Sequence, residues 1–445
     1  MKMPVNPPDF INIIKEKHEL FKDALNASVT DEKGRYLHWD KLRHLKAPNG
    51  LTSEEWWALI RFKRESLFSE ISLYDKSGDP FKFCTPDIVS RDLHWLDMNA
   101  AGTISANQPV ANQGMQGTYL LKSLVEEAIN SSQLEGASTT RHVAKEMLRQ
   151  RREPRDKSEQ MILNNFNAMQ FIRDFKDDEL TPSFLFELHK ILTEKTLDDP
   201  DKAGAFRSKT DNVYVADRNG SDVLHLPPKA CELEKRLDLL CDFANRRSDN
   251  KFIHPVIRAI TLHFMMGYDH PFIDGNGRTA RALFYWSMIN QGYWLAEFIS
   301  ISRIIKSAPT QYERAFLYVE TDGNDLTYFI IHQLEVIRKA IEDLHLYLEK
   351  KTKDIEEAKE ALQKADKLKD KLNFRQLAIL RHALKHPRFI YKINEHQNSH
   401  GISYETARKD LLYMSDKLQL LSKVKEGRAF IFISPSDLEE RIKRG

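Results

Sequence analysis

The chain has 445 residues, of which 41% are hydrophobic and 30% are charged, and this composition excludes a disordered chain. Its 67 Lys and Arg residues nearly balance its 65 Asp and Glu residues, so the net charge of +2 excludes a uniformly basic coat protein but leaves protein and DNA partners open. The three cysteines form no Cys-x-x-Cys pair, which argues against a disulfide framework and against a thiolate zinc site. We find neither a membrane span nor a signal-peptide core, and we therefore expect a cytoplasmic protein without a membrane partner.

The first 110 residues are predicted to form a helical region. Thr52 and Glu55 have the spacing of a capping box, and the apolar residues that follow them predict a helix over residues 52–75. Trp56 and Trp57 are interpreted as core residues of this helix, because large aromatic side chains mostly supply buried area.

A further helix is predicted over residues 119–136. Apolar residues recur at helical spacing from Leu121 onward, and Gly136 offers a C-terminal stop. Ser131 and Glu135 are four residues apart and therefore share one face of this helix. On spacing alone, a carboxylate at the end of an apolar helix is expected to meet solvent.

A β-hairpin is predicted between the helical regions. Two short β-prone runs, residues 212–216 and 223–226, are separated by the turn signal Asn219-Gly220. An isolated hairpin is only marginally stable, so this one is expected to lie against the body of the protein or against a ligand.

The strongest signal is a loop between two apolar helices, with the sequence His270-Pro271-Phe272-Ile273-Asp274-Gly275-Asn276-Gly277-Arg278-Thr279-Ala280-Arg281. Gly275 and Gly277 permit backbone angles that direct several N–H groups into one concavity at the start of a helix, and such a concavity binds phosphate. Arg278 and Arg281 are three residues apart, so both can hold phosphate oxygens from the first turns of that helix.

Two other side chains of this loop can take part in chemistry. Asp274 can hold a hard cation such as Mg²⁺, and His270 can act as a base. A base, a metal-binding carboxylate, an anion site and two arginines within one loop point to phosphoryl or nucleotidyl transfer.

The loop resembles the signature of Fic-domain proteins, H-x-F-x-[D/E]-G-N-G-R-x-x-R, and every specified position is matched. The resemblance extends over roughly residues 30–335 and includes Gly204 to Arg207, the hairpin and Tyr312. It implies a mainly α fold, in which residues 111–340 form a helical Fic core with a small β-hairpin flap.

The resemblance also implies an activity and the residues that perform it. Fic enzymes mostly transfer AMP from ATP to a Ser, Thr or Tyr hydroxyl of a protein and release pyrophosphate. ATP and Mg²⁺ are then the expected ligands, with His270 as the base that deprotonates the target hydroxyl and Asp274 as the Mg²⁺ ligand. The implied phosphate and nucleotide contacts are Gly275, Asn276, Gly277, Arg278, Arg281 and Tyr312. The hairpin resembles the flap that positions the target by strand addition, and its residues are Asn212, Val213, Tyr214 and Val215.

The resemblance changes the interpretation of the helix at residues 119–136. Ser131 to Gly136 resemble the inhibitory motif [S/T]-x-x-x-E-[G/N] of the class with an intramolecular inhibitory helix. Glu135 is then expected to pair with Arg281 and to occupy the arginine that the γ-phosphate needs. In some relatives the same glutamate helps to hydrolyse AMP off the target, so removal of AMP is an alternative activity.

Residues 341–372 are predicted to form a charged linker helix. Apolar residues recur every seven positions from Ile341 to Leu362, as in the seam of a coiled-coil homodimer. Lys351 interrupts this pattern, and a spacer helix packed on its own protomer fits equally well.

Residues 373–445 are predicted to form a separate domain with a net charge of +6. The order of its predicted elements is two helices, a helix from Ser403 through Leu421 and a hairpin, which resembles a winged helix-turn-helix domain. Arg408 and Lys409 are predicted to face outward, and they are candidates for contact with DNA. A protein-docking or purely structural role for this domain has equal weight.

The sequence therefore predicts an autoinhibited protein adenylyltransferase that modifies other proteins and itself. The alternative from a different functional class is a DNA-binding regulator in which the Fic site is a nucleotide sensor.

Overall fold

The structure is a computed structural model that describes residues 2–101, 113–216, 222–248, 251–363, 371–426 and 429–444. Its elements are mainly helices. The helices before the hairpin are α1 (Phe10–Glu16), α2 (Leu20–Asn26), α3 (Trp39–Leu42), α4 (Ser53–Glu65), α5 (Asp87–Ala100), α6 (Gln113–Leu134), α7 (Arg141–Gln150), α8 (Lys157–Asp174) and α9 (Pro182–Thr193). The helices after it are α10 (Leu233–Ala244), α11 (Pro255–Asp269), α12 (Asn276–Asn290), α13 (Ile301–Ser307), α14 (Pro309–Thr321), α15 (Thr327–Gln363), α16 (Phe374–Lys385), α17 (Ile393–His400), α18 (Tyr404–Leu412) and α19 (Leu438–Arg444).

The strands are short, and they form small antiparallel sheets. They are β1 (Ser69–Tyr74), β2 (Pro80–Phe83), β3 (Val215–Ala216), β4 (Val223–His225), β5 (Ile390–Lys392), β6 (Ser422–Glu426) and β7 (Ala429–Ile433). They form two two-stranded sheets, β1-β2 and β3-β4, and one three-stranded sheet of order β5-β7-β6.

The chain divides into two compact units. The first unit contains Met1–Thr103, Ser123–Ser138 and Arg155–Ile341, and the second contains Ile104–Lys122, Thr139–Pro154 and Glu342–Gly445. No helix in the described ranges has both the length and the apolar character that crossing a membrane requires.

The N-terminal region differs from the purely helical one that the sequence predicted. The capping box at Thr52 and Glu55 forms, and both tryptophans behind it are buried in α4. The helix predicted for residues 52–75 is nevertheless wrong beyond Glu65, because β1 begins at Ser69 and pairs antiparallel with β2. The reason lies in the burial pattern of β1, which alternates as in a half-buried strand: Ile71 and Leu73 are buried, and the residue between them is partly exposed.

The core of the first unit is a pair of helices that the loop of residues 270–275 connects. Helix α12 packs against α8, α9 and α11, and almost every residue of α11 and α12 is buried. The backbone leaves α11 in a left-handed conformation at His270, with φ 42°, and enters α12 through Gly275, with φ 81°. Two buried helices thus fix both ends of the loop.

The helix predicted for residues 119–136 is present but has different ends. Helix α6 spans Gln113–Leu134, so the predicted start at residue 119 is late and Glu135 lies in the turn that follows the helix. Gly136 has φ 93°, a left-handed conformation that ends the helix without steric cost.

The predicted linker helix of residues 341–372 is the continuation of α15, which already begins at Thr327. Near residue 341 the sequence of this helix changes from mainly apolar to mainly charged, whereas its backbone hydrogen bonding continues through Gln363. Residues 364–370, at the end of the predicted linker, lie outside the described residues.

The C-terminal part of the second unit packs α16, α17 and α18 beside the sheet β5-β7-β6. Its core includes Leu380, Ala407, Leu411 and Phe432. The helix predicted from Ser403 through Leu421 starts as expected but is wrong beyond Leu412, since a π-helical turn follows at Tyr413–Lys417 and Gln419 is left-handed, with φ 54°. This break brings the buried residues Leu420 and Leu421 into the core before β6 begins.

Candidate active site

The imidazole of His270 is held in one defined tautomer at the C-terminal end of α11. Its Nδ1 lies 2.5 Å from the carbonyl oxygen of Gly267. Because a carbonyl oxygen only accepts hydrogen bonds, Nδ1 carries the proton, and the neutral ring has its free electron pair on Nε2. Burial lowers the pKa of His270, which favours this neutral form. The ring is therefore prepared to accept a proton at Nε2.

The start of α12 forms an anion cradle, a name used here for the backbone of Gly275, Asn276 and Gly277. Asn276 closes this turn with its side chain, since Oδ1 accepts from the N–H of Phe272 at 3.0 Å and Nδ2 donates to its carbonyl at 2.8 Å. Asn276 thus shapes the loop with its side chain, and an anion would be bound by the backbone N–H groups at the helix start.

The carboxylate of Glu135 can approach the anion cradle closely only because residue 277 is a glycine. A Cβ atom on Gly277 would collide with the carboxylate of Glu135. The carboxylate thus lies directly on the cradle, where a phosphate group would otherwise be placed.

Arg278 is completely buried beneath the loop, and its guanidinium is only partly hydrogen-bonded. Its Nη1 donates to the carbonyl of Leu192 at 2.7 Å, while Nε and Nη2 have no hydrogen-bond partner among the described residues. Burial lowers the pKa of Arg278. Unsatisfied guanidinium N–H groups are costly inside a protein, and an anion bound at the loop would satisfy them.

Arg281 is fully engaged by the end of α6. Its Nε donates to the hydroxyl of Ser131 at 2.9 Å, and Nη2 donates to the carbonyl of Ser131 at 3.0 Å and to Oε1 of Glu135 at 2.9 Å. Burial opposes the charge on this side chain, but the Glu135 carboxylate raises the pKa of Arg281 overall. The predicted residues Ser131 and Glu135 are therefore brought together with Arg281, and Gly136 supplies the turn behind them.

Asp274 is the carboxylate of the loop, and half of its side chain is exposed. Its Oδ1 accepts from the N–H of Gly275 at 2.6 Å and lies 3.8 Å from Nη2 of Arg278. The described residues contain no cluster of three or more metal-ligating side chains. Because Asp274 is the one carboxylate available, these residues fit Mg²⁺ only if the oxygens of a bound phosphate also coordinate the ion.

A cavity of about 320 Å³ opens beside these groups, a size typical of small-molecule sites. The loop side of its lining contains Glu135, His270, Gly277, Arg281 and Tyr312. The hairpin side contains Val215, Ala216, Leu224 and His225.

The predicted flap residues lie at this cavity and near its rim. Val215 starts β3, and β3 pairs antiparallel with β4 as the sequence predicted. Asn212 and Val213 precede the strand, and the side chain of Tyr214 is exposed. The predicted turn of residues 217–220 lies outside the described residues.

The predicted nucleotide contact Tyr312 lies on α14 in the wall of the cavity. Its hydroxyl is 2.9 Å from Nε2 of His263, and burial raises the pKa of the phenol. The ring is therefore held as a neutral wall residue of this cavity.

Arg408 and Lys409 belong to the second unit and form no part of this site. Both are exposed on α18, as predicted, and Arg408 lies 3.7 Å from Glu405 on the same helix.

The structure adds a histidine that the sequence did not indicate. His189 of α9 is buried, its Nδ1 accepts from the N–H of Gly204 at 2.9 Å, and its Nε2 donates to the carbonyl of Asp274, also at 2.9 Å. Its ring stacks on Phe272, with ring centroids 3.7 Å apart. A lone histidine on the apolar face of a helix gives no sequence signal, because its partners are distant in the chain.

Arg207 is a second residue that supports the loop. Its Nε donates to the carbonyl of His270 at 2.7 Å, and its Nη2 donates to the carbonyls of Pro228 and Asp269 at 2.5 and 3.3 Å. Its backbone N–H also donates to the carbonyl of Pro271, at 2.9 Å. Arg207 thus ties the loop to the chain just after the hairpin.

Comparisons of this chain with known proteins all find similarity to the same family. Residues 179–288 match the Fic/DOC family. The protein adenylyltransferase Fic of Nematostella vectensis is 32% identical over 118 residues, which are 26% of this chain and 25% of that protein. The protein of the same name from Drosophila willistoni is 33% identical over 115 residues, which are 26% of this chain and 21% of that protein. The chain thus spans about a quarter of the length of the curated relatives that it matches.

Solved structures of Fic proteins are also similar. A Fic family protein from Desulfovibrio desulfuricans G20 has a TM-score of 0.49 and 18% sequence identity, over 78% of this chain and 96% of that chain. Fic-1 from C. elegans, as a fragment of residues 134–508, has a TM-score of 0.45 and 19% identity, over 76% of this chain and 86% of that chain.

A helical core thus brings together His270, the glycines at the start of α12 and two buried arginines, Arg278 and Arg281. Residues 179–288, which contain this loop, match the Fic/DOC family, and the resemblance to Fic-domain proteins that the sequence showed is confirmed. The mainly α fold of the core is confirmed as well.

Proposed function

We propose that this chain is an autoinhibited protein adenylyltransferase, which transfers AMP from ATP to a Ser, Thr or Tyr hydroxyl of a protein and releases pyrophosphate. Three features support the proposal: the Fic domain, the fixed tautomer of His270 and the anion cradle beside it. The relatives named above are adenylyltransferases, which supports AMP as the transferred group.

His270 is the proposed general base of the transfer. Nε2 removes the proton of the target hydroxyl while the hydroxyl oxygen forms a bond to the α-phosphorus, and the bond to the pyrophosphate oxygen breaks. Nδ1 keeps its proton and continues to donate a hydrogen bond to the Gly267 carbonyl during this step, so the imidazolium that forms is stabilised by a bond already present. A positioned base of this kind contributes about 10²- to 10⁴-fold to a rate.

The remaining loop residues bind the triphosphate. The cradle at Gly275 and Gly277 offers backbone N–H groups, and Arg278 offers Nε and Nη2, which have no hydrogen-bond partner among the described residues. Arg281 binds the γ-phosphate once Glu135 has released the arginine. Asp274 would hold Mg²⁺, which neutralises phosphate charge when it is bound. Tyr312 lines the wall of the nucleotide cavity.

The observation that carries the autoinhibition is the position of the Glu135 carboxylate. It binds Arg281 at 2.9 Å and lies against Gly277, so it occupies both the arginine and the cradle that a triphosphate would use. A carboxylate at this point also repels phosphate oxygens. ATP would then bind in a pose that does not lead to transfer.

The hairpin β3–β4 is the proposed flap for the target. Strand β3 is short and lies at the cavity, and an extended target segment can add its backbone along Asn212 to Val215. The exposed ring of Tyr214 offers an apolar contact for such a segment.

Intact-mass spectrometry after incubation with ATP and Mg²⁺ tests the proposal. The Glu135→Gly variant is expected to gain the mass of one or more AMP groups, whereas wild type gains little and the double variant Glu135→Gly, His270→Ala gains none. Equal labelling of wild type and Glu135→Gly contradicts the inhibitory role of Glu135. Labelling of the double variant contradicts the role of His270.

Removal of AMP is measured with the same proteins. AMP-labelled Glu135→Gly protein is separated from ATP and incubated with catalytic amounts of wild type. Loss of label that depends on Glu135 of the added enzyme identifies hydrolysis as a second activity.

A DNA-binding role for the C-terminal domain is a second candidate, which the exposed Arg408 and Lys409 and the net charge of +6 in residues 373–445 favour. In this reading the domain is a winged helix with α18 as its recognition helix. Retention on duplex DNA that weakens with salt and is lost in the Arg408→Ala, Lys409→Ala variant supports it. Unchanged retention in that variant contradicts it.

A further inference from the structure

A second histidine, His225 of the hairpin, is bound on both ring nitrogens at the rim of the loop. Nε2 lies 2.7 Å from the carbonyl oxygen of Tyr268, and Nδ1 lies 2.7 Å from Oε2 of Glu320. The side chain of His225 is only 6% exposed, so water does not replace these partners. Both partners are acceptors, and both bonds form together when the two ring nitrogens each carry a proton.

The carbonyl of Tyr268 belongs to a set of four consecutive carbonyls at the end of α11, and each of them accepts a side-chain hydrogen bond. Gly267 accepts from His270, Tyr268 from His225, and the following two carbonyls from Arg207. Carbonyls at a helix end lack partners within the helix and carry partial negative charge, so cationic donors stabilise them. Arg207 supplies one such cation, and a protonated His225 supplies the other.

We propose that His225 is a positioning residue: as an imidazolium ion paired with Glu320, it joins the hairpin to the end of α11 and so sets both the flap and the ring of His270. The proposal rests on the proposed role of His270 as the base. In this role both ring nitrogens of His225 are bound to protein groups, and the residue acts through the backbone of Tyr268 and through its charge.

The charged and titratable groups around His225 come from several elements. They are Glu320 on α14, Tyr268, Asp269 and His270 at the end of α11, Arg207 before the hairpin, Arg236 on α10 and Lys76 between β1 and β2. Burial raises the pKa of Asp269 to about 6, and its carboxylate binds Arg236 at 2.7 Å. The positive charges of Arg236, His225 and Arg207 oppose this effect of burial, so loss of the His225 charge is expected to raise the pKa of Asp269 as well.

The charge of His225 has a direct effect on His270. Burial lowers the pKa of His270, the hydrogen bond to Gly267 opposes this, and the positive charge of His225 lowers the pKa further. A base must be neutral to accept a proton, so a lower pKa keeps His270 active at lower pH. Loss of the His225 charge is then expected to raise the pKa of His270 and to move the acid limb of the pH–rate profile to higher pH.

His225 also anchors the strand that faces the target. Its register partner on β3 is Val215, which belongs to the proposed flap surface. Lys76 adds a second contact to the hairpin, because its Nζ donates to the carbonyl of Leu226 at 3.2 Å. Without the His225 anchor, the hairpin keeps its own strand pairing but loses its fixed position on α11, so binding of the target weakens along with the rate.

Ring protonation is measured directly by NMR of full-length protein that is labelled with ¹⁵N on histidine. Near neutral pH, both ring nitrogens of His225 are expected to give the shifts of an imidazolium, and the signal is assigned by its loss in His225→Gln. In Glu320→Gln the hydrogen-bonding shape is kept but the carboxylate is gone, and the ring is expected to become neutral. A neutral His225 ring in wild type overturns the proposal.

Kinetics supply the second readout, in the Glu135→Gly background. His225→Gln and Glu320→Gln are expected to move the acid limb of self-labelling to higher pH, while His386→Gln, at an exposed position of the second unit, leaves it in place. An unchanged acid limb in Glu320→Gln overturns the proposal even if His225→Gln fails to fold. If Glu135→Gly shows no transfer at all, the proposed function fails, and the NMR result still decides the state of His225.

Discussion

Arg281 and Glu135 are 146 residues apart in the chain, yet Nη2 of the arginine and Oε1 of the glutamate lie 2.9 Å from each other. The arginine side chain is 3% exposed and the glutamate side chain 28%, so the pair is largely shielded from solvent. Charge-assisted bonds of this kind are stronger than neutral ones, and a partly buried pair is screened less by salt than a surface pair. The contact between Arg281 and Glu135 thus holds the proposed inhibited state. Substitution of the residues that support this contact tests the proposal.

Ser131→Ala is expected to weaken the inhibition without abolishing it. The variant loses the hydroxyl that accepts from Nε of Arg281 at 2.9 Å, while the bonds of Arg281 to the Ser131 carbonyl and to Glu135 remain. A hydrogen bond to a charged group is worth about 1.5–3 kcal/mol, so the released state gains about tenfold or more in population. Self-labelling by ATP, followed by intact mass, should be faster than in wild type and slower than in Glu135→Gly.

Ser138→Ala is the matched control for this change. Ser138 follows the same turn, and its hydroxyl lies near that of the exposed Ser158 rather than near Arg281. Its labelling rate should equal that of wild type. If Ser131→Ala labels no faster than Ser138→Ala, the serine takes no part in the inhibition.

Glu127→Gln is expected to loosen α6 from its position beside α12 and α13. The buried Glu127 carboxylate accepts from the hydroxyls of Tyr285 and Ser300, at 2.9 and 2.7 Å, and from the N–H and hydroxyl of Ser302. A glutamine places an N–H₂ group against these donors and leaves some of them unsatisfied. Because Glu135 follows at the end of the same helix, labelling should rise above the wild-type rate.

The exposed glutamate Glu146 on α7 provides the comparison for this variant. Glu146→Gln should label at the wild-type rate and unfold at the wild-type denaturant midpoint. A Glu127→Gln protein that is less stable than wild type but labels at the wild-type rate indicates a purely structural role for Glu127. That result contradicts a role of Glu127 in holding the inhibited state.

The sequence predicted those parts of the site that lie close together in the chain. The loop from His270 to Arg281 carries its base, its cradle and its arginines within twelve positions, so its chemistry can be predicted from the sequence alone. The pairing of Glu135 with Arg281 could be expected only through the family resemblance, because spacing alone placed that carboxylate in solvent.

The supporting residues could not be predicted, for a physical reason. His189 and Glu127 act through carbonyls and hydroxyls that are tens to hundreds of residues away, such as the carbonyl of Asp274 and the hydroxyl of Ser302. Neither residue belongs to a motif in the sequence, and nothing in its spacing distinguishes it from other polar residues of its helix. The strand β1 was missed because a good capping box predicts where a helix begins and not where it ends.

Arg64→Met is expected to lower the free energy of unfolding by about 3–5 kcal/mol, since two backbone carbonyls and a buried hydroxyl lose their donor at about 1–3 kcal/mol each. Arg64 is fully buried, donates to the carbonyls of Val29 and Leu37 and to the hydroxyl of Tyr328, and lies 3.5 Å from the ring centroid of Tyr36. Urea unfolding of the full chain, followed by tryptophan fluorescence, measures the change.

The same substitution at an exposed arginine should cost little. Arg338 forms an ion pair with Asp92 at 3.4 Å, and its side chain is 47% exposed. Surface pairs contribute about 0–1 kcal/mol, so Arg338→Met should unfold close to wild type. Equal destabilisation by both substitutions shows that burial of Arg64 is not the cause of its effect.

His189→Gln is expected to make the stability of the protein less sensitive to acid. Burial lowers the pKa of His189 from 6.5 to about 4, so between these values the unfolded chain binds a proton that the folded protein excludes. The unfolding free energy contributed by this group is complete above pH 6.5 and is lost as the pH falls toward 4, by up to about 1.4 kcal/mol per pH unit and about 3 kcal/mol in total.

Urea unfolding at pH 7, 6 and 5 measures this slope in wild type and in His189→Gln. Glutamine can still donate to the Asp274 carbonyl but does not titrate, so the slope should become shallower by close to one proton. His38 and His332, whose pKa values burial also lowers to about 4, contribute equally to both proteins and cancel in the comparison. Parallel stability curves for the two proteins mean that His189 titrates alike in the folded and unfolded states, and that its ring is not held neutral beneath the loop of residues 270–275.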